Sequence, residues 1–430
     1  MADFSAERFE EVTTSLAQFL EASPSMFHAA YEVGKRLKAA GFTELSEGDH
    51  WALQPGGSYF TTRNGSAVIA FSIPESKFDA CRMVASHSDS PSFKIKENPE
   101  MNVEGQYIKL NVERYGGMLM APWFDRPLSV AGRVIVKKNG GYEPVLVNVD
   151  RDLLMIPNLA IHMNREVNDK GYAYNAQKDL LPLYGMSGAA GTFLKTVADA
   201  AGVSESDVLG HDLFLYNRTK PTVWGAENEF VSAQRLDDLQ CAYATLLGFL
   251  RASREKCLSI YCMFDNEEVG SLTRQGADST FLYDVLQRIC QSTGLDTEFY
   301  HRMLANGFLI SADNGHAVHP NYADQSDPVN RPYLNGGVVM KFNAQQKYCT
   351  DGVSAAMFRD VCRTAGVPLQ IFTNRSDKLG GSTLGNLSNA HVSIRAVDVG
   401  LPQLSMHSPY ETAGVKDTVY LAAATETFFS

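Results

Sequence analysis

Phe264-Asp265-Asn266-Glu267-Glu268-Val269-Gly270 follows an apolar run, Cys257-Leu258-Ser259-Ile260-Tyr261-Cys262-Met263-Phe264. The run reads as a strand, and it stops in two adjacent carboxylates. Neighbouring side chains on a strand point to opposite faces. At a strand end, where the chain turns, both can instead reach into one crevice. One carboxylate can then hold a metal while its neighbour handles a proton. Taken alone, Glu267-Glu268 reads first as a solvated acidic loop, so the rest of the chain has to decide.

Other short apolar runs end in the same way. Cys81-Arg82-Met83-Val84-Ala85-Ser86 stops at His87-Ser88-Asp89. His and Asp two apart on an extended chain share a face, and a ligating histidine commonly has a carboxylate behind it. His87 is therefore a candidate ligand and Asp89 its orienter. Phe230–Leu236 leads to Asp237-Asp238, just before a helix expected over Cys241–Leu250; Asp237 could equally be an N-cap there. Gly307–Ala312 ends at Asp313, followed by His316 and His319, and Val338-Val339-Met340 is followed by Lys341. A strand expected over 391–399 leads to Leu404-Ser405-Met406-His407.

In open α/β sheets, ligands bind beyond the carboxyl ends of the strands. Five strand ends or strand–helix junctions here carry His87, Asp237, Glu267-Glu268, Asp313 and His407. Two histidines and several carboxylates without cysteine suit catalytic zinc, manganese or cobalt. The set is too large for one open tetrahedral site and suits two ions sharing a bridging carboxylate, typically about 3.5–4 Å apart. Such a pair acidifies a water and polarises a carbonyl, the requirements of metal-assisted hydrolysis. A remaining carboxylate, Glu267 or Glu268, would move the proton; spacing does not distinguish the two.

The 430 residues suggest about three domains, or one large domain with an insertion. Hydrophobic residues make up 44%, enough for a large core. A net charge of −11 argues against a nucleic-acid footprint. The start, Met1-Ala2-Asp3-Phe4-Ser5, lacks the basic and apolar regions of a signal peptide, and no run of about 18 apolar residues suggests a membrane span. Seven scattered cysteines, none in a Cys-x-x-Cys pair, suggest a reduced, cytoplasmic setting without a thiolate zinc site.

Helical spacing predicts a first helix over 5–22. Ser23-Pro24 reads as the start of a second, with serine as N-cap, and Gly41 as its end. Tyr59–Ile73 reads as a hairpin about Asn64-Gly65. Residues 94–225 change character. Strands are expected at 93–97, 107–113, 128–137 and 142–149, with a turn at Asn139-Gly140-Gly141. His162 heads a polar loop over 163–178, and a helix over 188–201 and a strand over 212–216 follow. This β-rich block interrupts an alternation of strands and helices and is the expected insertion. The catalytic domain is then 1–93 with 226–430, ending in a helix over 412–428. The Leu379–Gly385 turn is no P-loop, because Lys378 precedes its glycines.

Ser86-His87-Ser88-Asp89-Ser90-Pro91, Arg235-Leu236-Asp237-Asp238, the 264–270 stretch, Ser311–Tyr322 and Met406-His407-Ser408 together resemble the aspartyl aminopeptidase family of dinuclear zinc exopeptidases, in its bacterial form. The resemblance spans nearly the whole chain in the family's order. It implies an α/β fold with a zinc-exopeptidase-like mixed sheet flanked by helices, and a dimerisation role for the β-rich insertion. It implies that Asp237 bridges two divalent ions, zinc foremost, with His87 and Asp313 completing one site and Glu268 and His407 the other. Glu267 becomes the general acid/base. His316, His319, Lys341 and Tyr348 match residues near the substrate pocket, and Lys341 would suit an acidic N-terminal side chain. His162 matches a histidine lent to a neighbouring subunit. Dimers assembled into a tetrahedral dodecamer are implied, with peptides as substrates and no nucleic-acid or membrane partner. Three positions depart from the family pattern: Asn314 and Gly315 stand where methionine and alanine are usual, changes expected to alter the pocket wall, and Asp238 stands where asparagine is common. A related carboxypeptidase or deacylase, and a non-catalytic oligomeric scaffold, are the competing readings.

Overall fold

The computed structural model describes residues 3–138 and 140–430. Asn139, at the expected turn, and Met1-Ala2 lie outside the described residues. The chain divides into two compact units, Met1–Asp89 with Pro221–Met406 and Glu411–Ser430, and Ser90–Lys220 with His407–Tyr410.

In the first unit the described strands form a nine-stranded mixed sheet. Its order is Thr43–Leu45, Ser58–Arg63, Ala67–Ser72, Leu258–Phe264, Cys81–His87, Phe308–Ala312, Ala396–Gly400, Val338–Phe342 and Leu369–Thr373. The four strands from Leu258–Phe264 to Ala396–Gly400 run parallel, with Phe264 opposite His87 and Ser311 opposite Ala85. Their side chains are almost all buried, as expected of parallel strands covered on both faces. One apolar layer includes Leu16, Phe19, Phe249 and Phe429, and the other Phe71, Phe281, Leu286 and Met303. A smaller sheet joins Thr222–Trp224, Phe230–Ala233, Glu411–Gly414, Pro402–Leu404 and Gly315–His316.

The first helix is Ala6–Glu21, capped by Ser5. The second is Met26–Ala39, and its cap is Ser25 rather than the expected Ser23. Ser25 has the extended backbone and the side chain that accepts from the His28 amide, so Pro24 precedes the cap. Asn64 and Gly65 both have positive φ, 59° and 63°, as a two-residue hairpin turn of this kind requires. Two further expectations are corrected. Residues 411–414 form a strand on Phe230–Ala233, so the last helix is Asp417–Phe429. The late strand is Ala396–Gly400, not 391–399. In both places a ladder with a distant partner, rather than local periodicity, sets the boundary.

The second unit is built on a six-stranded antiparallel sheet of order Gly141–Asn148, Leu128–Lys138, Val208–Asn217, Ser92–Val103, Tyr107–Tyr115 and Leu183–Met186. Phe93, Trp123, Leu128 and Phe193 centre its core. The unit begins at Ser90 and ends at Lys220 rather than at 94 and 225. A strand starts at Ser92, and Thr222–Trp224 already pairs with Phe230–Ala233 of the first unit's sheet. The polar stretch 163–178 contains two short helical turns, Val167–Lys170 and Ala176–Asp179, and the following helix is Phe193–Ala201.

Candidate active site

Adjacent parallel strands deliver three of the expected groups to one end of the large sheet. His87 is the last residue of its strand, Asp313 directly follows Ala312, and Glu267 lies three residues past Phe264. After Phe264 the chain turns sharply. Asn266 takes a left-handed backbone (φ 63°), Glu267–Val269 form one 3-10 turn, and Gly270 closes it at φ 97°. Thr273 Oγ1 and Gln275 Nε2 donate to the Asn266 carboxamide oxygen at 2.7 and 2.8 Å and hold the turn. Asp237 arrives from Arg235-Leu236-Asp237-Asp238, where Arg235 is left-handed (φ 60°) and both aspartates are non-helical; the Asp237–Asp238 peptide is cis.

His87 is buried, with Nε2 3.5 Å from Asp237 Oδ1 and 3.9 Å from Asp313 Oδ1. Its Nδ1 lies 3.1 Å from the Asp89 carbonyl oxygen and 3.4 Å from Asp89 Oδ1. Ligand atoms of His87, Asp237, Asp238 and Asp313 all fall within 4.8 Å of one another, and so do those of His87, Glu267 and Glu268. The Asp89 carboxylate also accepts from the amides of Glu267 and Glu268, so it holds the turn as well as facing the imidazole.

Burial and neighbouring acids raise the pKa of both glutamates. Burial pushes Glu267 up to about 8; His87 opposes this, while Asp313, Asp89 and Asp237 add to it. Burial and Asp237 hold Glu268 well above the ordinary carboxylate range. Burial would lower His87, but Asp237, Asp313 and Asp89 outweigh it and raise its affinity for a proton. A concentrated set of oxygen donors with one imidazole nitrogen, buried and convergent, fits a divalent cation of borderline hardness such as zinc.

A family profile described as aminopeptidase I zinc metalloprotease (M18) matches residues 19–429. The chain belongs to the M18 family. It is 44% identical over 429 residues to a probable M18 family aminopeptidase 2 of Clostridium acetobutylicum, covering 98% of this chain and 99% of the relative. It also resembles the solved structure of Chaetomium thermophilum mApe1, with a TM-score of 0.89, 32% identity and 98% of each chain covered. The S. cerevisiae mApe1 dodecamer follows at a TM-score of 0.86 and 27% identity, with 98% of this chain and 97% of that one covered. This M18 protein is thus a metalloaminopeptidase of the zinc-dependent kind, a hydrolase, on a mixed α/β fold.

The remaining expected residues of this M18 chain fall in several places. Lys341 lies within its strand, not after it, and is 3% exposed. Its Nζ donates to the Asn314 carbonyl at 2.9 Å and lies 3.7 Å from Asp313 Oδ2. Burial opposes its charge, but Asp313 and Tyr348 raise its pKa overall. Buried Tyr348 places its ring 5.6 Å from Lys341 Nζ. His316 and His319 line a cavity of about 390 Å³ with Phe372, Arg375, Lys378 and Gln403. In the second unit, His162 is exposed on the turn Ile161–Met163. His407 places Nδ1 against the Gly117 carbonyl, and its own carbonyl accepts from the Leu119 amide at 3.0 Å.

Sequence reasoning missed several groups at this site. Asp238, noted only as a departure, accepts from the His87 amide through Oδ2 and from the Asn314 amide through Oδ1, each at 3.1 Å. Arg235 Nη2 donates to the Ser88 carbonyl at 2.7 Å, pinning the segment between His87 and Asp89. Glu411 accepts from the Asp237 amide at 3.0 Å. Asn314, where an altered pocket wall was expected, is 2% exposed, with its carboxamide bonded to Gln240 and Gln403.

Proposed function

We propose that this protein removes single N-terminal residues from peptides, Asp and Glu among them, using two zinc ions per subunit. His87, Asp237 and Asp313 would hold one ion, and Asp237, Glu268 and His407 the other. The observation that carries the reading is the convergence of His87 with Asp237 and Asp313, within 3.5 and 3.9 Å, beside Glu267. Bound zinc supplies a Lewis acid for the scissile carbonyl and a lowered pKa for water. Glu267 takes the proton of the attacking water and returns it to the leaving amine. Asp89 fixes the turn that presents it.

A cavity lined by basic residues supports acidic side chains as substrates. Arg375 and Lys378, with His316 and His319, line a cavity of about 390 Å³, while buried Lys341 stands beside Asp313. The second unit is proposed to mediate pairing of subunits, with His162 lent to a partner's site and dimers gathered in a tetrahedral dodecamer. The likeness to the S. cerevisiae mApe1 dodecamer supports such an assembly. A cytoplasmic setting fits the seven cysteines, none of which is in a disulfide.

The test is a panel of aminoacyl p-nitroanilides, run with zinc, manganese and cobalt, beside the same peptides blocked at the amine. Free-amine substrates should be cleaved and blocked ones spared. Equal cleavage of blocked substrates would favour a carboxypeptidase or deacylase, and no turnover with any metal would favour a scaffold.

A further inference from the structure

A buried line of side-chain hydrogen bonds runs behind the metal-binding carboxylates, and the reaction above gives it no role. Glu411 Oε2 accepts from the Asp237 amide at 3.0 Å, and its Oε1 accepts from Gln403 Nε2 at 3.4 Å. Gln403 Oε1 in turn accepts from Asn314 Nδ2 at 2.6 Å, and the same nitrogen donates to Gln240 Oε1 at 3.0 Å. The Cys241 thiol donates to Asn314 Oδ1 at 2.8 Å. The backbone of Asn314 is held too, its amide by Asp238 and its carbonyl by Lys341. Asp238 then closes the line onto the His87 amide. Glu411, Gln403, Asn314, Gln240 and Asp238 are each no more than 2% exposed.

The ends of this line are the backbone of Asp237, the backbone of His87 and the residue after Asp313. These come from three separate elements, so nothing local fixes one against another. Buried polar groups must be bonded somewhere, but here the bonds fall beside each of the three ligands. Asp238 and Asn314 meet in the same place, since Asp238 Oδ1 takes the Asn314 amide. A methionine at 314 could make none of the three carboxamide bonds.

We propose that Asn314 and Gln403 are positioning residues, setting the placement of Asp237 and Asp313 about His87 for zinc. The inference rests on those three residues being ligands. Residues bonded behind a metal's ligands typically alter affinity by about 10–100-fold when removed.

The test titrates metal-free protein with zinc against a chelating dye, and records the melting temperature of the metal-free form and steady-state kinetics. Asn314→Leu keeps the number and branching of side-chain heavy atoms and removes the carboxamide. It should bind zinc about 10–100-fold more weakly, with kcat falling more than KM changes. Gln403→Met breaks the same line one residue away and carries the test if the first variant does not fold. A folded variant with a lowered melting temperature but zinc affinity within about twofold of wild type would overturn the proposal, since that is what a purely structural role predicts. His87→Ala separates the two levels. If it binds zinc as wild type does, the ligand assignment fails. If it loses zinc while Asn314→Leu and Gln403→Met keep theirs, only the positioning role fails.

Discussion

The carboxylate of Asp89 accepts hydrogen bonds from the backbone amides of both Glu267 and Glu268, at 3.1 and 3.2 Å. One buried acid thereby sets the turn that carries Glu267, the proposed general acid/base, and its neighbour, while its main chain and carboxylate also face His87 Nδ1. In Asp89→Asn, one acceptor becomes a donor aimed at an amide. The turn should loosen, and kcat at saturating zinc should fall by about 10–100-fold. Steady-state kinetics check this, and a kcat within twofold of wild type contradicts it.

Glu267→Gln keeps the shape of the side chain and removes its capacity to accept a proton. Hydrolysis should drop by about 10²–10⁴-fold, with zinc content unchanged. Elemental analysis alongside kinetics separates this outcome from loss of metal. Comparable loss of zinc in the variant would transfer Glu267 to the ligand set.

His162→Ala should lower activity while leaving zinc content and assembly intact, since the exposed imidazole is expected to act in another subunit's site. Size-exclusion chromatography and kinetics on the same preparation provide the check. A fully assembled and fully active variant would remove His162 from the reaction.

His28 gives a pH dependence away from the metal. Burial, with Arg235 nearby, lowers its pKa from 6.5 to about 4, while its Nδ1 lies 2.8 Å from Ser25 Oγ. The unfolded chain therefore binds this proton at a higher pH than the folded one does. The stability is present above about 6.5 and is lost as pH falls toward 4, by roughly 1–3 kcal/mol after allowance for partial exposure. Denaturant unfolding of wild type and His28→Gln at pH 7.5 and 5 checks it. The wild type should lose more stability on acidification than the variant, and equal losses would contradict the assignment.

The strand-end groups were legible because their signal is local. A short apolar run that stops in His, Asp or Glu announces both the strand and the group at its end. His87, Asp237, Glu267, Glu268 and Asp313 are all of this kind, and the structure brings them together in the first unit. Glu411 was not legible, because its bond to the Asp237 amide joins residues 174 apart in sequence. Asn314 and Gln403 carry no local mark either; their bond spans 89 residues. Lys341 misled in another way. A lysine near a strand end usually stays in water, and only the fold shows that Asn314 and Asp313 meet this one inside. The strand Glu411–Gly414 overlaps the start of the helix expected over 412–428 for the same reason, since its partner is Phe230–Ala233.

The single turn formed by Glu267–Val269, bounded by left-handed Asn266 and Gly270, fixes how this stretch can vary. Residues in a 3-10 turn are spaced about 120° apart. Insertion or deletion of one residue between Phe264 and Gly270 would rotate the two glutamates by that angle and exchange or discard their directions, even with every side chain retained. Length, as much as composition, is therefore under constraint in this loop. Homologues that keep the chemistry are expected to keep its residue count while their surface loops grow and shrink freely.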